Sequence, residues 1–455
     1  LSLPRFILFL LLILPAIAVA ATPGERPVVE NIEALIALAM ANNPEVKGAR
    51  AHGEMLANKA RQAGSLEDPM LMLKFQNMPL SNPTSFDRES MTQKVIGVSQ
   101  QLPWYGKLKL RKEVAARDAE SAHWIRLEKS LELIRSVKET FYQLYFTDKS
   151  LGIATRNLAI LETFVNLAET RYTVGQGSQA DIFKAQVEQS KVLDMRLSLE
   201  QQRKSLAIRL NTLLSRPVTT PVGSIPEITV ADQPETYERL LQTAEEQRPL
   251  LKGVRAAIEK GKAAHALGKS EFYPDFNASL EYMQRQPAMG SNGDDLYSVG
   301  VTFNLPFQRE RRHAALAEAE SEVTMAMEEL NAVRNALAGE IADLLVRMER
   351  RKRQAELYRS GIIPQAEKAL EAATNGYRTG KVDFLSLLDS RMTLFSYERE
   401  YYESLAEYMM SLSQLEAAVG VTPEPISHHG HPSNIPSSST VTLPPSGISA
   451  TSVGR

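Results

Sequence analysis

Gly376-Tyr377-Arg378-Thr379-Gly380-Lys381-Val382-Asp383 separates two long helical patterns. The same punctuation occurs earlier, at Arg171-Tyr172-Thr173-Val174-Gly175-Gln176-Gly177-Ser178. Tyr377 and Gly380 each follow Tyr172 and Gly175 by 205 residues. Working outward, Pro249 follows Pro44 and Pro274 follows Pro69 by the same interval. Gly300-Val301 and Leu305-Pro306 follow Gly97-Val98 and Leu102-Pro103 by 203. A shared offset across ordered landmarks marks a tandem duplication. The expected division is a leader over 1–20, a first repeat over 21–225, a second over 226–424, and a tail over 425–455.

Each repeat reads as a helix (about 31–66 and 236–271), a proline, a β-hairpin, Leu-Pro, a very long helix, the turn, and a shorter returning helix (about 180–214 and 384–419). The strands show alternation of period two. Phe276, Ala278, Leu280 and Tyr282 share one face, and so do Tyr297, Val299, Val301, Phe303 and Leu305. In the first repeat Leu71, Leu73 and Phe75 alternate with Met72, Lys74 and Gln76. Leu316, Val323, Leu330, Leu337 and Leu344 recur every seven residues, as do Leu144, Leu151, Leu158 and Val165. A sustained seven-residue repeat means helices supercoiled on neighbours. At ~1.5 Å per residue such a helix spans roughly 100 Å.

The totals narrow the function. The chain has 455 residues, 43% of them hydrophobic, a net charge of −2, seven histidines and no cysteine. Thiol chemistry and disulfides are excluded, and nothing suggests a nucleic-acid partner. Arg5, the apolar run Phe6 to Leu14, and Ala18-Val19-Ala20 read as a secretory signal peptide cut after Ala20. Any membrane span of the mature chain is expected to be β. Two hairpins give four strands, too few to close a membrane barrel, whose minimum is about eight. Open edges are not tolerated in lipid, so several chains must share the barrel. No nucleophile, acid–base pair or phosphate loop stands out. The expectation is a non-enzyme without a cofactor.

The duplicated plan, the Tyr-Thr-Val-Gly and Tyr-Arg-Thr-Gly turns, and Leu385-Ser386-Leu387-Leu388-Asp389-Ser390-Arg391 resemble the TolC-like outer-membrane efflux channel family. The likeness runs over about 30–424. It implies a mainly α protein with a membrane β-barrel portion: a homotrimeric α-helical tunnel under a shared 12-stranded barrel, set in outer-membrane lipid of a Gram-negative bacterium. It further implies a periplasmic adaptor and an inner-membrane pump as partners. Gln100-Gln101-Leu102-Pro103-Trp104-Tyr105-Gly106-Lys107 is similar to the branch serving heavy-metal pumps of the resistance-nodulation-division class. Many relatives carry a lipidated N-terminal cysteine; without one, anchoring falls to the barrel. The implied function is an exit duct for heavy-metal cations or drugs, with type I protein secretion or a periplasmic coiled-coil adaptor as alternatives.

From the resemblance, Asp389 and Ser386 occupy the positions of the acidic constriction ring at the tunnel's closed end. Asp383 and Asp181 are further gate candidates, against the plainer reading that they cap helices. Tyr172, Gly175, Gly177, Tyr377 and Gly380 lie in the turns that meet an adaptor, although tight turns need glycine in any case. Trp104, Tyr105 and Phe307 are candidates for an interfacial aromatic belt, with packing below the barrel as the alternative. Met70, Met72, Met78 and Met91 read as filler rather than soft-metal ligands. His428, His429 and His431 are weak metal-ligand candidates in a Ser/Pro-rich tail, where a short His cluster is more often incidental.

Overall fold

A computed structural model describes residues 30–81, 84–228 and 235–421. The leader expectation and the His428–His431 cluster lie outside them. All described residues fall in one unit, Leu1–Thr422; Pro423–Arg455 forms a second.

The element order is itself duplicated. The first series is α1 (Ile32–Asn42), α2 (Pro44–Ala63), β1 (Met70–Gln76), β2 (Gln93–Leu102), α3 (Lys107–Thr173) and α4 (Gln179–Leu213). The second is α5 (Tyr237–Gln247), α6 (Pro249–Ser270), β3 (Phe276–Arg285), β4 (Leu296–Phe303), α7 (Arg309–Leu357), a π-helical segment (Tyr358–Ile362), α8 (Ile363–Arg378) and α9 (Phe384–Val419).

Two expectations need correction. The opening helix of each repeat is two helices. Asn43 and Arg248 hold extended ψ values of 124° and 120°. Each precedes a proline, whose ring excludes the helical conformation from the residue before it. Asn43 then caps α2, its Oδ1 accepting from Glu45 N at 2.9 Å. The long helix of the second repeat is also interrupted, because Pro364 cannot donate into the ladder and a π turn absorbs the mismatch just before it. α3 runs unbroken for 67 residues, about 100 Å.

Of the expected seven-residue stripes, Leu144, Leu337 and Leu344 are buried, and Leu151, Leu158, Val165 and Leu330 pack half-buried against the cores; the fully buried sevenfold stripes lie beside them. Ala185, Val192, Leu199 and Leu206 of α4 are buried at intervals of seven, and Ala154, Leu161 and Ala168 of α3 do likewise. α3 is the central rod, packing on α2 and α6 toward the strands and on α4 and α9 toward the turns. Phe164, Phe384, Leu387 and Phe395 belong to the apolar core of the turn end. Val222 and Ile225 of the inter-repeat connection close a second core against α1, α3 and α4. Among the described residues no helix is long and apolar enough to cross a membrane.

The four strands form one antiparallel sheet in the order β1-β2-β3-β4. Its register settles which residues share a face, since cross-strand partners do. Leu71, Val98, Leu280 and Val299 form one row, and Leu73, Ile96, Tyr282 and Tyr297 the next. Leu102, Phe276 and Phe303 continue this apolar face. The other face carries Gln101, Asn277 and Thr302, then Ser99 and Ser279 beside Met70, then Glu281 and Ser298 beside Met72, then a mixed row of Lys74, Val95, Met283 and Leu296. Along β3, Leu280, Tyr282 and Gln284 are exposed while Glu281, Met283 and Arg285 are half-buried. A sheet curled toward its polar face produces that pattern. β4 stops at Phe303, short of the expected Leu305, and each outer strand has one unpaired edge.

Candidate functional site

Two regions carry the candidate residues: the pair of turns at the far end of α3 and the corner where strands become helices.

The turns are built alike. Gly175 N donates to Tyr172 O at 3.0 Å and Gln176 N to Arg171 O at 2.8 Å. In the second turn Gly380 N donates to Tyr377 O at 3.1 Å and Lys381 N to Gly376 O at 2.8 Å. Gly175 and Gly380 hold φ of 73° and 74°, a region closed to most side chains. One difference has a steric cause. A Cβ on Gly177 would lie 3.1 Å from Arg171 Cβ, and one on Gly376 would lie 2.4 Å from Val382 Cγ2. Residues 171 and 376 are equivalent, as are 177 and 382. Each turn therefore needs one glycine across this contact, on opposite sides in the two copies. Gly376→Ala is expected to destabilise the second turn by about 1–3 kcal/mol, the usual cost of overpacking. Adding Val382→Gly should restore it; protease nicking within the turn measures both effects.

With the first glycine at 177, position 171 is free to carry an arginine. Its guanidinium lies 4.3 Å from the centre of the Tyr377 ring, and its Nη2 donates to Arg378 O at 3.0 Å. The first turn thus grips the second. Tyr377 is only 4% exposed and packs edge-on against Phe384 at 5.6 Å, whereas Tyr172 is 47% exposed. Of the expected contact tyrosines, Tyr172 alone offers a free ring. Burial, with Asp181 adding and Arg171 opposing, raises the Tyr377 hydroxyl above its usual range.

The acidic candidates divide. Asp181 completes a capping box: Ala180 N donates to Ser178 Oγ at 3.1 Å and Ser178 N to Asp181 Oδ2 at 3.3 Å. Asp383 caps α9, accepting from Ser386 N at 2.7 Å. Ser386 and Asp389 lie one turn apart on an exposed face of α9. The groove between that helix and α4 is lined by Phe183, Lys184, Val187, Leu385 and Leu388. Lys184 also acts electrostatically on Asp383, tying the turns together a second way.

The backbone bond from Ser386, then its side-chain bond and Lys184, hold the Asp383 carboxyl below 3.8. A depressed carboxyl contributes stability above its unfolded value and loses it as pH falls through the folded one. Asp383→Ala should accordingly lower the thermal midpoint at pH 7, and the difference should close as pH falls below 3.8. A gap independent of pH would mean the carboxylate charge contributes nothing.

At the strand-to-helix corner, Trp104 stacks on Tyr273 at 5.0 Å and on Phe276 at 5.8 Å. Tyr105 and Phe307 are exposed. Of the three belt candidates, only these two present exposed rings, while Trp104 packs the junction. Beneath it lies a polar knot. The Lys107 side chain is 0% exposed, and its Nζ donates to Asp275 Oδ1 at 2.9 Å and Tyr273 O at 3.1 Å. Asp275 Oδ1 also accepts from Trp104 N at 2.8 Å, and Asp275 N donates to Asn304 Oδ1 at 2.6 Å. One residue thus joins three strand ends: its carboxylate ties the end of β2 to the start of β3, and its backbone N–H reaches the end of β4. Burial opposes its charge, but Lys107 and the Trp104 N–H outweigh burial and lower its pKa. A lysine directly after a Trp-Tyr-Gly corner was the available sequence signal; its partner, 168 residues away, gave none.

The outer membrane efflux protein family matches the chain twice, over residues 35–216 and 240–421. The cobalt-zinc-cadmium resistance protein CzcC of Cupriavidus metallidurans is 23% identical over 394 residues, covering 86% of this chain and 90% of that protein. The pyoverdine export outer membrane protein OpmQ of Pseudomonas putida is 25% identical over 355 residues, 74% of this chain and 70% of its own. The crystal structure of the outer membrane protein VceC from Vibrio cholerae superposes with a TM-score of 0.72 at 20% identity, covering 86% of this chain and 96% of that one.

Proposed function

The chain belongs to the outer membrane efflux protein family, and from that membership we propose that it is the exit duct through which a tripartite efflux system expels heavy-metal cations. It is an outer-membrane efflux channel, reaching into the periplasm. The energy for transport comes from an inner-membrane pump reached through a periplasmic adaptor. The observation that carries this reading is the sheet: four strands, apolar on the outer face and more polar on the inner, with both edges open. Open edges are not tolerated in lipid, and three copies of four strands supply a closed 12-stranded barrel with a polar lumen.

The two repeats, 21–225 and 226–424, then supply one hairpin and one tunnel segment each. Asp389 and Ser386 are the gate candidates, on the exposed face of α9; Asp383 and Asp181 serve mainly as caps beside them. In a trimer one exposed Asp becomes three near the axis, a ring that concentrates cations. Tyr172 and the flanking turn glycines are the adaptor contacts.

Likeness to CzcC supports a metal cargo. Likeness to OpmQ at similar identity supports a second reading, export of pyoverdine. A deletion strain grown against cobalt, zinc, cadmium and copper salts, drugs, bile salts and siderophore-secretion conditions separates them. Sensitivity to divalent metals, reversed by the plasmid-borne gene, is the expected result. Normal metal tolerance with lost secretion or with drug sensitivity overturns the metal cargo.

A further inference from the structure

The two longest helical stretches begin with cations. α3 opens Lys107-Leu108-Lys109-Leu110-Arg111-Lys112 and α7 opens Arg309-Glu310-Arg311-Arg312. A helix N-terminus is the positive end of the backbone dipole, so lysine and arginine there are unfavourable unless an anion offsets them. Neither helix has a side-chain cap, and α3 has no acid in its first turn. Lys107 is neutralised within the protein by Asp275. Lys109, Lys112, Arg309 and Arg311 are exposed, and their side chains make no ion pair or hydrogen bond among the described residues. Lys269, at the end of α6, adds a fifth exposed charge at the same end of the bundle.

On α7 the cations are confined to one height. Beyond Arg312, α7 carries Glu318, Glu320, Glu322, Glu328 and Glu329 before its next arginine, Arg334. At ~1.5 Å per residue, Lys109 to Lys112 and Arg309 to Arg311 lie within about 8 Å of the helix starts. The apolar row Leu102–Phe276–Phe303 ends just before those starts, and the exposed rings of Tyr105 and Phe307 lie between. The headgroup layer occupies roughly this depth beyond the hydrocarbon, since the core is ~30 Å thick and the whole bilayer ~40–45 Å.

We propose that these side chains form a collar that binds the phosphates of anionic phospholipids in the periplasmic leaflet, fixing the height of the barrel in the membrane. The proposal rests on the sheet spanning the outer membrane. Aromatic rings at the hydrocarbon boundary, with cations one turn beyond, are the arrangement a lipid surface selects.

Spin-labelled phosphatidylglycerol and phosphatidylcholine in vesicles holding the full chain test it, because lipid at the protein surface gives a motionally restricted signal. Wild-type protein should favour phosphatidylglycerol, and each neutralised collar residue should weaken that preference roughly fivefold at its site. The combined K109Q, K112Q, K269Q, R309Q and R311Q variant should show no preference. So should wild type in 1 M salt, where the Debye length is about 3 Å. Equal restriction of both lipids by wild-type protein at low salt overturns the collar and leaves the membrane span intact, as does a preference that survives 1 M salt. No restricted signal from either lipid contradicts the membrane span itself. The wild-type salt series decides the matter even if the combined variant fails to fold.

Discussion

Asp275→Ala is expected to reach the outer membrane as assembled protein at a small fraction of the wild-type level. The substitution leaves the Lys107 ammonium, 0% exposed, without its nearest counter-charge and with only the half-exposed Glu271 at 3.5 Å. Removing one partner of a buried pair costs about 3–5 kcal/mol, because the remaining charge keeps its desolvation penalty. It also removes the acceptor for Trp104 N at a corner where three strand ends meet. Whole-protein stabilities are only ~5–15 kcal/mol, so a loss of this size takes much of the margin. Lys107→Met combined with Asp275→Ala should recover part of the loss, since an apolar pair can replace a buried ionic one. The heat-resistant oligomer band from outer-membrane fractions reports both variants. Wild-type levels of Asp275→Ala would show that the knot does not hold the corner.

Arg171→Ala has the second large effect, and its target is closure rather than assembly. The guanidinium joins the two turns by its contact with the Tyr377 ring and its bond to Arg378 O. A cation–π contact at an accessible site contributes about 0.5–1 kcal/mol, and a hydrogen bond from a charged group about 1.5–3. A combined loss of about 2 kcal/mol shifts an open–closed equilibrium roughly thirtyfold in each protomer. Cells should become sensitive to antibiotics normally too large to cross the outer membrane, while the amount of protein stays the same. Arg171→Lys should rescue only in part, since an ammonium lacks the flat stacking face. Unchanged sensitivity with normal expression would remove Arg171 from the closure.

Much of this was legible because duplication and periodicity are properties of the chain itself. The Gly175 and Gly380 turns share hydrogen bonds as well as letters, and the buried stripes of α3 and α4 follow the interval of seven. The alternation in β3 and β4 grouped the residues that the register places on one face. The break at Asn43 and Arg248 was within reach, since a residue before proline leaves the helix, but the long helical pattern on both sides concealed it. The Arg171–Tyr377 grip, the exchange of glycine between positions 177 and 376, and the Lys107–Asp275 knot were not legible. Each depends on a contact between residues brought together only by folding. Asp181 and Asp383 illustrate the converse: the turn chemistry that made them conspicuous also makes them caps, and the exposed Asp389 is left as the freer carboxylate.

A conducting path closed at the turns is tested most directly by single-channel recording of the purified chain in planar bilayers. Wild-type protein should give small cation-selective steps that divalent cations block from the side bearing the turns. Asp389→Ala should enlarge those steps and weaken the block. The absence of discrete steps, or steps and block that are identical in wild type and Asp389→Ala, would contradict the account.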